Sequence, residues 1–456
     1  VRWPERAAVA TAFVAWCLGA GIPVLDRFRH FQVPNGLDQG YFLQRIWQAG
    51  ALDEPVRTLL NTEQGQGLVA ARHFEPVLAL FVPLVASWPD HRALLLGQLV
   101  VLGLTVPVAW LLARQHLSRR QAVLATWALL ASPVLWQMEA HGFRTMALAT
   151  PLVAGTLWAA SSGRRAWTLV LGLGALSCRE EVVWALLAAV PWLWLWRGRS
   201  WRDTTWLLGG LCLGWVGLLV LVQDGPSTFW KLSELPAAWS ARLSQAGGAS
   251  HTSAAGAALF GLQLLGPGSL AVVLAPVASL PLLVWWLGIQ ASSGLAGPEA
   301  VHLLGPALGT LCLVLPLALA RLPPRAVTPA LAVLIGWGAW DRSDDVAHLV
   351  RTAQERPAAP AGDSWTLIGD IPLDAALLTE ARYLPAVAAR PLIYATEDWH
   401  EPSRLDGHYT HALLRRDHDW TPVLTRQGFR ASRVSPGATL WTAASSAAAA
   451  PAVTPE

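Results

Sequence analysis

Acidic, histidine and arginine residues recur in short clusters between long apolar runs: LDQGYFLQR around Asp38, ARHFEP around His73, MEAHGFR around Glu139 and His141, CREE at Arg179–Glu181, and PEAVH at Glu299–His302. Ionisable groups beside hydrocarbon are costly to keep, so by default they mark a site. Arginine holds a phosphate through paired donors, a carboxylate takes a proton from a hydroxyl, and histidine or carboxylate binds a divalent ion. That mixture suits a phosphate-bearing, lipid-linked substrate.

In NGLDQGYFLQRIWQAG, Asp38 stands where an interfacial helix begins, with Phe42, Ile46 and Ala49 on one side and Asp38 and Arg45 two turns apart on another. The structural alternative for Asp38 is an N-cap, whose oxygen satisfies free backbone amides. His73, flanked by Arg72 and Glu75, opens a juxtamembrane stretch, and alone it reads as an interfacial histidine with a backbone partner. Glu139 and His141 are two apart, a spacing that converges on one ion in turning chain but not within a regular helix; they are the candidate ligands of a divalent metal ion. Arg144 either binds a phosphate oxygen or pairs with Glu139. Arg179, Glu180 and Glu181 lie between two short apolar runs, where the alternative is a solvated turn. Glu299 and His302 stand at a helix start, where Glu299 also serves the helix dipole. Asp38 is the candidate base. Gln44, Arg45, His73, Arg144, Arg179, Glu180, Glu181, Glu299 and His302 are the candidates for holding substrate and its phosphate.

The elements that must position these groups are membrane spans. The chain has 456 residues, 54% hydrophobic and 14% charged, with a mean hydropathy of +0.40, and its apolar stretches are long enough to cross a bilayer. The net charge of +3 comes from arginines in short loops rather than from a continuous basic face, so nothing points to nucleic acid. Among 26 tryptophans, Trp192, Trp194, Trp196 and Trp201 stand near span ends, as in an interfacial aromatic belt. Cys17, Cys178, Cys212 and Cys312 fall in or beside apolar segments without metal-type spacing, so neither disulfide nor cysteine chemistry is expected.

Arginine sets the orientation. VRWPER precedes an apolar run over about 7–25 without a small-residue cleavage site, which reads as an uncleaved signal anchor with its start in the cytoplasm. The basic loops at Arg114–Arg120, Arg164–Arg165, Arg197–Arg202 and Arg321–Arg325 are then cytoplasmic, and the segments 121–160 and 166–196 each hold two spans. MEAHGFR and CREE fall outside. The parity holds if 74–88, a short stretch containing Pro76 and Pro83, lies in the interface instead of crossing. Segment 223–254 is placed outside and 255–289, broken at GPGS, makes two passes, for roughly eleven crossings in all.

Residues 1–340 form the membrane domain, with 26–92 as a first outer loop bearing juxtamembrane helices, and 341–444 form a small extracytoplasmic α/β domain. Within the latter, TLIGDIP and PLIYA read as strands, DAALLTEARYLPAVA and WTPVLTRQGF as helices, and RVSPGATLWTA as a terminal hairpin. The tail 445–456 is low-complexity and expected to be disordered.

The motifs LDQGYFLQRIW, RHFEPVLALFVPL with LLLGQ, EAHGFR, CREE, the EAVH helix start and LPAVAARPLIY, in this order over most of the chain, resemble the bacterial family of predicted membrane proteins called domain of unknown function 2079. That family is grouped with the GT-C glycosyltransferases, integral membrane enzymes that take sugars from polyprenyl-phosphate donors at the outer face. The resemblance implies a GT-C-like all-α membrane domain in the bacterial cytoplasmic membrane, in contact with lipid and a polyprenyl-phosphate-sugar donor, and an inverting transfer with Asp38 as general base. Arg45, Arg144 and Arg179 are the implied stabilisers of the leaving phosphate. Many members follow that aspartate with a second acid; this chain has Gln39. Two rival classes stand beside this reading. A transporter or flippase places ionisable residues at the midplane on broken helices and shows inverted repeats, and neither is visible here. A non-catalytic scaffold that anchors the outer domain predicts nothing special about Asp38.

Overall fold

The computed structural model describes residues 3–52, 73–197, 202–222, 274–276, 279, 282, 304–341, 360–397 and 408–444. Glu299, His302, the GPGS hairpin, segment 223–254 and the tail 445–456 lie outside them. The described chain is mostly helical, with one small sheet near its carboxy-terminal end. It packs as two compact units, Val1–Ile22 with His73–Val77 and Gln98–Val346, and Pro23–Arg72 with Leu78–Gly97 and Ala347–Glu456. This division departs from the one read at 1–340 and 341–444. The described residues 23–52 and 78–97 pack with the carboxy-terminal region.

The first unit is a layer of apolar helices. It holds α1 (Trp3–Arg29) up to Ile22 and, after α2 (Gly36–Ala51) and α3 (Val82–Ser87) of the second unit, α4 (His91–Gly103) from Gln98 on, α5 (Thr105–Ala113), α6 (Arg119–Leu130), α7 (Pro133–Ala140) and α8 (Thr145–Ser161). They continue as α9 (Arg165–Leu176), α10 (Val182–Arg197), α11 (Arg202–Val222), α12 (Gly305–Leu319) and α13 (Pro324–Asp341). α8 and α12 are buried along nearly their whole length, and α8 packs against α9, α12 and α5. Small residues such as Ala147, Ala149, Ala154 and Ala160 let neighbouring backbones approach. Trp16 of α1 is fully buried, donates its indole N–H to the Leu99 carbonyl (2.9 Å) and meets Trp136 edge-on at 5.1 Å. Val14, Leu18, Val100, Trp167, Val170, Trp206, Leu213 and Val333 point outward and exposed, the arrangement of helices whose solvent is lipid.

Pro4–Arg29 and His91–Ala113 have the length and composition of bilayer crossings. Pro76–Ser87, made of a 3-10 turn Pro76–Phe81 and α3 (Val82–Ser87), is shorter. At about 1.5 Å per residue a helix of that length reaches ~18 Å, well under the ~30 Å hydrocarbon core.

The second unit is built on a five-stranded sheet, order β2-β1-β3-β5-β4, from β1 (Leu377–Thr379), β2 (Ile393–Ala395), β3 (His411–Leu414), β4 (Phe429–Val434) and β5 (Thr439–Ala443). β1 is parallel to β2 and β3; β5 is antiparallel to β3 and β4. Leu378, Tyr394, Tyr409, Ala412, Leu414, Trp420, Leu424 and Phe429 form its core. PLIYA and the terminal hairpin form the expected strands, and α16 (Thr421–Arg426) forms within WTPVLTRQGF. Two expectations are corrected. TLIG belongs to α14 (Pro360–Gly369), and LLT inside the expected helix is the interior strand β1, with only α15 (Leu384–Val387) helical beyond it. Leu377, Leu378 and Thr379 are consecutively buried because sheet neighbours and layers cover both faces, so the alternation that marks a strand is missing.

The end of α1 joins this unit: Val24, Phe28 and Leu95 pack with Trp365 and Ala386, and the Trp365 indole donates to the Arg29 carbonyl at 2.9 Å. α2 (Gly36–Ala51) packs on α15 and α3.

Candidate functional site

Three of the polar clusters meet in the first unit. Segment 73–77 runs beside the turn between α9 and α10, where the Val77 amide donates to the Ser177 carbonyl at 3.0 Å. Glu180, 2% exposed, spends both carboxylate oxygens on that segment: Oε2 accepts from the Phe74 amide at 3.0 Å and Oε1 lies 2.8 Å from His73 Nδ1. A carboxylate only accepts, so Nδ1 carries the ring hydrogen and Nε2 keeps its lone pair. Arg179 Nη2 meets that lone pair at 3.0 Å, and Arg179 Nε is ion-paired with Glu181 Oε2 at 2.9 Å. Burial works against the Arg179 charge, but Glu181, Glu180 and Glu75 together outweigh it and hold its pKa above the ordinary arginine value.

Glu75 reaches the next turn. It is buried and accepts from Thr145 Oγ1 at 2.6 Å, at the start of α8. Between α7 and α8, the fully buried Gln98 of α4 donates to Glu139 Oε2 (3.1 Å) and to the Gly142 carbonyl (2.9 Å), and its own oxygen accepts from the Arg144 amide (2.6 Å). Glu139 Oε1 is buried with no hydrogen-bond partner among the described residues. His141, the C-cap of α7, places Nδ1 2.7 Å from the Gln137 carbonyl. Three hydrogen-bonded groups thus follow one another along the chain: His73, Arg179, Glu180 and Glu181; Glu75 with Thr145; and Gln98 with Glu139 and the Arg144 amide.

Glu75, Gln98 and Thr145 are absent from the set of residues that the sequence singles out as candidates. A glutamine ending the apolar run LLLGQ is the signal that could have found Gln98, since an uncharged amide in a span needs a buried partner.

Asp38, Gln44 and Arg45 stand on α2 in the second unit. The N-cap there is Asn35, at φ 51°, so Asp38 is not the cap; it lies in the first turn, where a carboxylate is favoured by the helix dipole. The expected one-sided interfacial helix is corrected as well. Gln39, Gln44, Arg45 and Gln48 are buried together with Tyr41, Phe42 and Ile46, while Ala49 is exposed. α15 and α3 enclose the helix, Gln48 Nε2 donates to the Pro391 carbonyl at 3.0 Å, and the Arg45 guanidinium lies 5.6 Å from the Tyr41 ring centre.

Glu139 and His141 offer two ligands to a divalent ion, and among the described residues no third histidine, cysteine or carboxylate joins them. His73, Glu180 and Glu181 do form such a group, with ligand atoms within 4.8 Å of one another. There, however, Arg179 already engages the His73 lone pair and the Glu181 carboxylate. As arranged, the residues do not fit a metal ion.

No curated protein matches the chain. The crystal structure of ArnT from Cupriavidus metallidurans bound to undecaprenyl phosphate is similar to it with a TM-score of 0.60 and 14% identity, covering 98% of this chain and 99% of that one. The apo structure of the same protein gives 0.57 and 13%, covering 97% and 100%. At this identity the likeness is one of fold alone. A model of predicted membrane proteins matches residues 29–293, more than half of the chain, and the chain therefore belongs to that family, DUF2079.

Proposed function

We propose that this membrane protein is a GT-C-type glycosyltransferase that moves a sugar, with inversion, from a polyprenyl-phosphate donor to an acceptor at the outer face of the bacterial cytoplasmic membrane. In this reading the amino terminus is cytoplasmic, the chain crosses roughly eleven times and the carboxy-terminal α/β domain is outside. The observation that supports it most is the set of polar groups in 73–77, 139–145 and 179–181: a partly buried guanidinium among carboxylates and an imidazole, at helix ends of a fold shared with a protein crystallised on undecaprenyl phosphate.

The acceptor hydroxyl attacks the anomeric carbon, its proton passes to Asp38, and the bond to the phosphate oxygen breaks. The leaving phosphate already carries charge, so a fixed cation matters more than a general acid. Arg45, Arg144 and Arg179 are the candidates for that task. No step is routed through a metal ion.

The test is sugar transfer from polyprenyl-phosphate donors by purified protein in nanodiscs, wild type against Asp38→Asn. Removing a positioned base costs about 10² to 10⁴ in rate. Asp38 lies in the first turn of α2, past the N-cap position held by Asn35, and asparagine is nearly its size, so the substitution should leave the helix in place. Near wild-type turnover in Asp38→Asn removes Asp38 as the base. Absence of transfer from any such donor by well-folded wild type favours the scaffold instead.

A further inference from the structure

We propose that Phe31 is a positioning residue for Asp38: its ring, clamped by Trp365 and Tyr383, fixes the turn from which α2 and its carboxylate start. All of these residues lie in the second unit. α1 ends in a Schellman turn, in which the Gln32 amide donates to the Arg27 carbonyl at 2.9 Å and the Phe31 amide to the Phe28 carbonyl at 3.1 Å. The left-handed position of such a turn usually belongs to glycine, because a Cβ is crowded there. Here it holds Phe31, at φ 55°. A bulky residue keeps that conformation only where its surroundings over-determine it.

The surroundings are two aromatic jaws. Phe31 is buried, its ring stacked on Trp365 with centroids 4.7 Å apart and edge-on to Tyr383 at 5.1 Å, both favourable pair geometries. Each jaw is itself pinned. The Trp365 indole N–H donates to the Arg29 carbonyl at 2.9 Å, one of the carbonyls that the end of α1 leaves without a helical partner, and the Tyr383 hydroxyl donates to the Gly437 carbonyl at 3.0 Å. The link that follows is held twice more. Val33 joins Trp365 and Ala386 against Val24, Phe28 and Leu95, and Gly36 leaves no room for a Cβ beside the Ala381 carbonyl. The link ends at the N-cap Asn35, also left-handed at φ 51°, and Asp38 follows in the first turn of α2. With both ends of the link 31–35 fixed, the direction of α2, and so of the Asp38 carboxylate, is set by the clamp. Glycine at 31 would cap α1 with less strain, so the strain is accounted for by what the ring holds.

The catalytic consequence rests on the proposed glycosyltransferase reading, with Asp38 as base; the grip on the link does not. Wild type, Phe31→Gly, Phe31→Tyr, Asp38→Asn and the double variant Phe31→Gly with Asp38→Asn are purified in nanodiscs and compared by hydrogen exchange and by sugar transfer. Glycine takes φ 55° freely, so Phe31→Gly keeps the turn and removes the ring. It should lose exchange protection over 32–38, and its kcat should fall about 10- to 10²-fold, the cost of misplacing a reacting group by about 1 Å, with the donor KM unchanged. Phe31→Tyr keeps the ring and should restore both. In the Asp38→Asn background the glycine substitution should cost less than about twofold more, because residues that act as a unit are not additive. Unchanged protection over 32–38 in Phe31→Gly overturns the proposal, and so does an equal loss of kcat in both backgrounds, which would make Phe31 a support of the fold alone. Where Asp38→Asn keeps its turnover or no donor is used, the base assignment fails and the exchange alone decides the clamp. Phe31→Leu, which keeps apolar bulk without the ring, replaces the glycine variant if that one does not fold.

Discussion

Gln98 holds more of the candidate site than its chemistry suggests. An amide is neither acid nor base, yet this one satisfies a carboxylate oxygen, a turn carbonyl and a backbone amide at once, from a position without solvent. Gln98→Met keeps the volume and removes all three bonds. Each buried group so orphaned costs about 1–3 kcal/mol, more where it is charged, so the variant should lose several kcal/mol. Its Tm in detergent, followed by tryptophan fluorescence, should fall by about 5 °C or more. An unchanged Tm means that the turn 139–144 is held by other contacts and that Gln98 is a bystander.

At the scale of elements, α2 is positioned by close backbone approach. A Cβ at Gly36 falls 2.1 Å from the Ala381 carbonyl oxygen and one at Gly40 falls 2.6 Å from Leu384 Cβ. Both obstacles are backbone or Cβ atoms that cannot rotate away. On helix propensity alone alanine is better than glycine by about 0.8–1.0 kcal/mol. Overpacking costs about 1–3 kcal/mol and reverses that sign, so Gly36→Ala and Gly40→Ala should destabilise and speed hydrogen exchange in α2. Gly214→Ala in α11, where a Cβ meets nothing within 4 Å, should do neither. Equal effects at the three positions mean that the approach of α2 to 381–384 is not tight.

The same comparison shows what was legible in the sequence. The helices of the first unit and the turns that hold Glu139 and Arg179 stood out, because charge in an apolar chain is visible without knowing its neighbours. The enclosure of α2 was not, since the faces that Gln39, Arg45 and Gln48 present are covered by residues more than 300 positions away, such as Pro391. β1 was hidden for a related reason: a strand buried on both faces carries no period of two. Gln98 and Glu75 carry no such mark, because their roles lie in pairings that span loops.

For the whole molecule, the alternation of turns makes the sidedness testable. In the first unit the chain passes from the basic start of α6 at Arg119 through α7 to Glu139, back along α8 to Arg164, and along α9 to Arg179. Turns with arginine and no carboxylate thus alternate with turns that bring arginine and carboxylate together. Basic turns remain in the cytoplasm, where the cost of moving arginine across the membrane is not incurred. In the proposed topology every mixed turn lies outside, where a lipid-linked sugar presents its phosphate in the proposed reaction. Cys178, Cys212 and Cys312 are buried and Cys17 partly so, and a background with all four replaced by serine keeps labelling clean. In that background His141→Cys should react with an impermeant maleimide in intact cells, and Arg119→Cys only after the membrane is opened. The reverse pattern would put the mixed turns in the cytoplasm. The fold could then remain while the donor changed, because a cytoplasmic site meets soluble nucleotide sugars and has no need to await a polyprenyl phosphate turned to the outer leaflet.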